Sequence, residues 1–437
     1  MKKLLTCILF FTTIQIQAAN RYDSLGGLMS QSSEPRMFFY LEQINNVWWF
    51  IDPGGKAFIS KGVNHISYTA DFSPALKYSP YAKTTQEKYG TQKKWATETA
   101  QRLRGWGFNT IGAWSNEIMR NQQIPYTFIL NIASRAGGDW EKGIFPDVYS
   151  SKFRQAARHL AQTQCQKRRD DIYLLGYFTD NELRWGPDWR SQDSLLISYL
   201  RFKPKADGKK KAVEFLQERY HGIKAFNQAW GIDIDSYDQI TQLKKIPKNQ
   251  PRQDDEADFQ EQIARQYFTI CRDAIKKYDP NHLILGCRFA GYAPKPVLQG
   301  MKDSVDAISY NSYSYRPPDN QLKRIYDITG KPILIGEFSF KAMDSKLPNT
   351  KGAGKAVKTQ KDRAAGFTEY VSDLMKLPYI VGYHWFEYTD EPAEGRFDGE
   401  NSNYGIVNIK DEPWEILTEK MTRTNKAIEE VHLNSNQ

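Results

Sequence analysis

The 437 residues carry 40% hydrophobic, 25% charged and 14% aromatic side chains. That apolar share excludes disorder over most of the chain and supports one large domain or two to three ordinary ones. A mean hydropathy of -0.65 excludes a polytopic membrane protein. The net charge of +9 is spread along the chain with one dense run, Lys209-Lys210-Lys211. It reads as a solvated face; no basic stripe interleaved with stacking aromatics marks a nucleic-acid groove.

In chain order, Met1-Lys2-Lys3, an apolar run from Leu4 to Ile16 and Gln17-Ala18-Ala19 form the pattern of a cleaved export signal at 1–19. The expected location is therefore secreted or periplasmic. The apolar run is too short to span a bilayer as a helix, so no stable membrane insertion is expected after cleavage. Cys7 lies too early to follow an h-region. Losing two lysines and no acid leaves +7 and three cysteines, Cys165, Cys271 and Cys287, none at metal-ligand spacing. Residues 20–35, rich in Ser and Gly, read as a flexible lead-in to a single domain over 36–437.

Phe38–Leu41, a turn at Asn45-Asn46 and Val47–Ile51 predict a hairpin, with a second turn at Asp52–Gly55; the hairpin is placed to plug one end of a larger domain. Short apolar strands follow at Ala57–Asn64, Phe108–Trp114, Tyr126–Ile132, Ile172–Asn181, Leu283–Phe289, Ala307–Tyr313, Ile333–Phe338 and Ile380–Tyr388. Helical patterns lie between most of them, among them Thr91–Gly105, Ser150–Arg169, Asp258–Tyr278, Lys361–Met375 and Glu412–Val431. Strands too apolar to alternate argue for a parallel sheet covered by helices. Eight such units predict an α/β fold, a (β/α)8 TIM barrel, with a helical insertion between strands four and five. That insertion, at 188–260, holds Ala212–His221, Ile223–Trp230 and a polar segment, Lys244–Asp255.

Reactive groups in such a barrel gather where strands enter their following loops. Strand four ends in Asp180-Asn181-Glu182 and strand seven in Gly336-Glu337-Phe338. Two carboxylates facing one pocket suit glycoside cleavage, one donating a proton to the leaving oxygen and the other attacking the anomeric carbon or positioning water. Glu337 follows a strand too apolar to carry a casual charge. Trp385, at the end of strand eight, is read as a sugar platform. His65, Asn64, Trp114 and Arg288 are assigned to the pocket from strand-end position alone. On strand six, Tyr310 and Tyr313 are rival hydrogen-bond partners for Glu337, since strand phase decides which points inward, and Asn311 lies between them. Glu400 and Asn401, with Asp398, are read as ligands of sugar hydroxyls, a cation-holding turn being the other option. With six His, no His pair at helical ligand spacing, no phosphate-cradling Gly-rich loop and no Gly-x-Ser-x-Gly elbow, no metal and no cofactor is expected.

Asn181-Glu182 and Glu337 resemble the signature of the retaining glycosidases of this barrel clan. The resemblance implies that Glu182 is the general acid/base, Glu337 the nucleophile and Asn181 a ligand of the sugar 2-hydroxyl. A closer likeness is to the exo-type β-agarase family. It is carried by Asp180-Asn181-Glu182, by Pro332 to Phe338, by His384-Trp385-Phe386 and by the loop Gly395 to Gly405, and it spans most of residues 36–430. It implies a carbohydrate substrate of the β-galactan type. Two departures accompany it: the family has a β-sandwich ahead of the barrel for which the residues before 36 leave no room, and it has Gln where this chain has Glu387. Another β-glycan or an anionic envelope glycan is the alternative substrate, and a carbohydrate-binding protein without turnover the alternative class.

Overall fold

The computed structural model describes residues 21–436, so the expected signal at 1–19 lies outside the described residues. The hairpin forms as expected. Asn45 and Asn46 both take left-handed backbone (φ 53° and 62°), which Asn tolerates better than most residues, and this two-residue turn folds Tyr40–Ile44 onto Val47–Ile51. Lys56–Phe58 and Leu28–Ser32 extend it to a four-stranded antiparallel sheet.

Two expectations change here. Leu28–Ser32 is a strand inside the stretch read as a lead-in; its side chains are mostly outward, so no apolar period announces it. Ala57–Asn64 is not one strand. Lys56–Phe58 belongs to the antiparallel sheet and Ser60–Val63 to the parallel one, the chain changing sheets at the buried Ile59. An unbroken apolar run hides such a switch.

The parallel sheet is curled and TIM-like. Strands one to four are Ser60–Val63, Thr110–Ile111, Tyr126–Ile129 and Leu174–Phe178, each paired with its predecessor, and Leu283–Ile284 pairs with strand four. Strands six to eight, Ile308–Asn311, Ile333–Phe338 and Ile380–Trp385, continue from Phe289–Ala290, and strand eight pairs back onto strand one. The two outer pieces, Leu283–Ile284 and Phe289–Ala290, are halves of the segment expected as strand five. It is interrupted where Gly286 adopts φ 79°, yet hydrogen bonds from Leu285 N to Tyr177 O (2.8 Å) and from Thr179 N to Gly286 O (2.9 Å) hold it beside strand four. A break of this kind bends a strand and re-aims the side chains after it. Arg288 is the side chain re-aimed here.

The hairpin closes the lower end of the sheet. Phe39, Phe50 and Phe58 pack with Leu175, Phe178, Leu285 and Leu334 in one buried cluster, and Trp48 N donates to Pro378 O at 2.7 Å. On the outside, helices Gln92–Gly105 and Gln360–Leu374 begin at threonine caps, Thr91 and Thr359, the second in a reciprocal capping box with Asp362.

Between Phe178 and Leu283 the chain passes through helices Leu195–Leu200, Asp207–Tyr220, Ile223–Trp230 and Gln250–Tyr278. The last begins inside the stretch read as polar, capped by Asn249. Its polar residues are turned inward: the buried Asp255 accepts from Tyr220 Oη and Trp230 Nε1, each at 2.7 Å, which is why no apolar stripe marks its first turns. Lys209, expected in a solvated run, is likewise buried against Asp238 (2.5 Å). Cys165, Cys271 and Cys287 are buried free thiols. Among the described residues no helix is long and apolar enough to cross a membrane.

Candidate active site

The loops that follow the parallel strands surround a cleft of about 1190 Å³, and both Glu182 and Glu337 line it. Four side chains enter it from left-handed backbone after strand ends: His65 (φ 52°), Trp114 (φ 60°), Asn131 (φ 55°) and Glu182 (φ 48°). Non-glycine residues pay a conformational cost there, and such positions cluster at functional sites.

Glu337 is buried, with one oxygen in an ion pair and the other in a hydrogen bond. Arg288 Nη1 is 3.0 Å from Oε1, and Tyr313 Oη donates to Oε2 at 2.5 Å. Arg288 is itself fully buried; its Nη2 donates to Gly336 O at 2.5 Å and its guanidinium lies 4.5 Å from the Trp114 ring centre. Across the cleft, Asn311 Nδ2 donates to Glu182 Oε1 (3.0 Å) and to Asn181 Oδ1 (3.2 Å). Arg184 does not pair with Glu182. It donates to the carbonyls of Gly143, Gly186 and Asp193 and to Ser198 Oγ. Burial pushes the Glu337 carboxyl up to about 7; Arg288 opposes the rise, the charge of Glu182 adds to it and the Tyr313 hydrogen bond again opposes it.

A second cluster forms the cleft wall after strands one and eight. His65 Nδ1 meets Glu387 Oε2 and lies 3.8 Å from Asp71 Oδ1. Burial disfavours the imidazolium, but the carboxylates of Asp71 and Glu387 outweigh it and carry His65 up to about 9. Arg396 lies among acids, 2.9 Å from Asp398, 3.0 Å from Glu400 and 3.3 Å from Glu391. The guanidinium thus takes the place that a cation would hold at Asp398 and Glu400. His65, Asp71 and Glu387 have ligand atoms close enough together for a metal ion. The direct His65–Glu387 contact satisfies two of those three groups without one.

Of the residues assigned from the sequence, Glu182, Glu337, Asn181, His65, Trp114, Asn311, Tyr313 and Glu400 line the cleft. The others do not. Trp385, expected as a platform, is fully buried among Phe338, Phe340 and Phe367 and donates its indole N–H to Tyr404 O (2.9 Å). One residue of strand phase separates the inward face from the outward one. Tyr310 turns away to the Gly291 carbonyl, leaving Tyr313 as the partner of Glu337. Asn64 is buried beneath the site, bridging Gly336 O (2.8 Å) and Ala113 N (2.9 Å). Asn401 holds the 350–351 backbone instead of facing the cleft. Arg288 stands behind Glu337, acting on the cleft through it.

A family model described as beta-galactosidase, of the glycoside hydrolase 42 type, matches residues 146–337, a range that contains Glu182 and ends at Glu337. Beta-agarase A of Vibrio sp. (strain JT0107) is 30% identical over 453 residues, 88% of this chain and 45% of that protein. Beta-agarase B of the same organism is 28% identical over 465 residues, 90% of this chain and 48% of its own length. The chain therefore spans about half the length of these curated relatives. The crystal structure of an agarase superposes with a TM-score of 0.82 at 28% identity, over 94% of this chain and 68% of that one. The fold is shared with an exo-beta-agarase at a TM-score of 0.84 and 24% identity, over 95% of this chain and 69% of that one. The chain is β-agarase-like.

In this β-agarase-like chain several cleft residues carry no signal in the sequence. Asp71 and Phe72 follow strand one, Trp140 follows strand three and Trp189 strand four, all in loops without periodicity. Arg396 belongs to a motif visible in the sequence, but its partners come from separate loop positions and only the fold assembles them. Exposed aromatics at non-periodic positions are the one usable hint. Phe72, Trp189 and Phe397 are 53%, 68% and 62% exposed.

Proposed function

We propose that this protein is a retaining β-glycosidase acting on a β-galactan of the agarose type. Its scaffold in this reading is a closed (β/α)8 barrel with an insertion at 188–260, and its location secreted or periplasmic. The observation that carries the reading is the placement of Glu182 and Glu337 on one cleft, with Arg288 and Tyr313 both aimed at Glu337.

The Arg288 charge and the Tyr313 hydroxyl both favour the ionised form of Glu337, as a nucleophile requires. Glu182, held by one amide from Asn311, serves as the acid. Its proton passes to the glycosidic oxygen while a Glu337 oxygen bonds to the anomeric carbon, and the C–O bond to the leaving sugar breaks. Glu182, now a carboxylate, takes a proton from water as the water oxygen attacks the same carbon; Glu337 leaves and the configuration is retained. In this reading Asn181, whose Oδ1 accepts from Asn311, binds the 2-hydroxyl.

Glu337→Ala is expected to abolish turnover of agarose oligosaccharides while circular dichroism and the unfolding midpoint show an intact fold. Azide should restore cleavage and give a glycosyl azide of inverted configuration. Proton NMR of the unsubstituted protein's first product should show the retained anomer. Full activity in Glu337→Ala would end the assignment, and binding of oligosaccharides without turnover by the unsubstituted chain would favour a carbohydrate-binding protein.

A further inference from the structure

The mouth of the cleft carries two indoles that neither the packing nor the chemistry above uses. Trp140 is 38% exposed and Trp189 is 68% exposed, and both line the cleft. Large apolar faces left in water beside a cavity mark places where a partner surface covers them. Indoles suit sugars, whose C–H faces stack on the ring while hydroxyls stay solvated.

Their placement is fixed by a buried charge. The Arg190 side chain is only 4% exposed. Its Nη1 donates to Trp140 O (3.0 Å), its Nη2 to Glu182 O (3.0 Å), and its Nε and Nη2 to Asp188 Oδ2 (2.9 and 2.6 Å). The guanidinium carbon also lies 4.3 Å from the Trp189 ring centre and 5.8 Å from that of Trp140. One guanidinium thus ties the loop after strand three, the loop after strand four and the backbone of Glu182 into a single unit. The planar fork explains why arginine stands here: a lysine would supply the charge without bridging three acceptors.

We propose that Trp140 and Trp189 form a platform for a sugar ring on the leaving-group side of the scissile bond, held in register with Glu182 by Arg190. This rests on Glu182 being the acid. An acid protonates the leaving oxygen, so the sugar that departs lies on its side of the cleft. Strands three and four, whose following loops carry the two indoles, stand across the sheet from strand seven, which carries Glu337, and strand eight, whose loop carries Phe397. The substrate class is therefore an oligosaccharide or polysaccharide that continues past the cleaved bond, not a glycoside with a small leaving group. Arg190 is a positioning residue: it acts through the two loops it joins.

Calorimetric titration of the full chain carrying Glu337→Gln, which binds without turnover, tests this with agarose-derived oligosaccharides of two to eight sugars. Adding Trp189→Ala or Trp140→Ala should weaken binding of the longest oligosaccharide about tenfold, the scale of one lost stacking face, and that of the disaccharide less than about twofold. Trp189→Phe should recover most of the loss, because a flat ring remains; that rescue separates stacking from a folding defect. Arg190→Lys should reproduce the length-dependent loss. Equal weakening at every length, or none, overturns the platform while leaving the glycosidase reading in place. If neither agarose oligosaccharides nor a panel of other neutral β-glycans binds the Glu337→Gln parent, both fail together.

Discussion

Tyr313 shows how one hydroxyl links position to chemistry. It donates to Glu337 Oε2 at 2.5 Å and opposes the rise that burial imposes on that carboxyl. In the proposed mechanism Glu337 attacks as a carboxylate, so kcat/KM is expected to rise with pH through about 7. Tyr313→Phe removes a stabiliser of the carboxylate, and the acid limb should move to higher pH. The rate at the optimum should fall by about 10²–10³, as when one preorganised donor is lost. Initial rates on an agarose oligosaccharide from pH 5 to 9 measure both; an unmoved limb would show that Tyr313 does not act on Glu337. The sequence leaves Tyr310 and Tyr313 level because two strand-end tyrosines three residues apart cannot be phased without the pleat. Glu337 is legible for the opposite reason. It is a lone charge in an apolar strand, where burial costs too much to persist without a task.

At the scale of elements, long apolar strands and capped helices can be read directly, whereas breaks in them cannot. The Gly286 interruption and the change of sheet at Ile59 both lie inside continuous apolar runs, where a bend leaves no trace in composition. The start of Gln250–Tyr278 is hidden because its first turns bury Asp255 and Arg252 in place of hydrocarbon. The hairpin is readable from Asn45-Asn46, and so is its role as a plug. Phe50 is fully buried between the hairpin and the strand interiors. Phe50→Ala should lower the unfolding free energy by about 3–5 kcal/mol, the usual cost of a buried ring removed from a close-packed core. Urea unfolding followed by tryptophan fluorescence reads the loss. The pH dependence of kcat should be unchanged, since the plug and the cleft lie at opposite ends of the same strands. A loss under about 1 kcal/mol would mean that the hairpin covers the sheet without sealing it.

For the whole molecule, net charge and local charge point in opposite directions, and the local one decides the ligand. The chain is basic overall at +9. The cleft, however, is lined by eight carboxyl groups with Arg396 and His65 as its cationic side chains. Arg396 is already engaged by Asp398, Glu400 and Glu391, and His65 by Glu387. An anionic glycan would therefore meet an excess of carboxyl groups over cations where it has to lose its own hydration, a placement that like-charge repulsion makes costly. The basic surface cannot offset this, because charges farther away than about 8 Å are largely screened at physiological ionic strength. A neutral oligosaccharide is expected to bind the Glu337→Gln protein at least about tenfold more tightly than a sulfated one of equal length in about 50 mM salt, and the gap should narrow as salt is raised. Calorimetry at two ionic strengths measures it. Equal or tighter binding of the sulfated chain would mean that the basic surface outside the cleft supplies the main contacts, and an anionic envelope glycan would then replace the neutral galactan as the substrate to test.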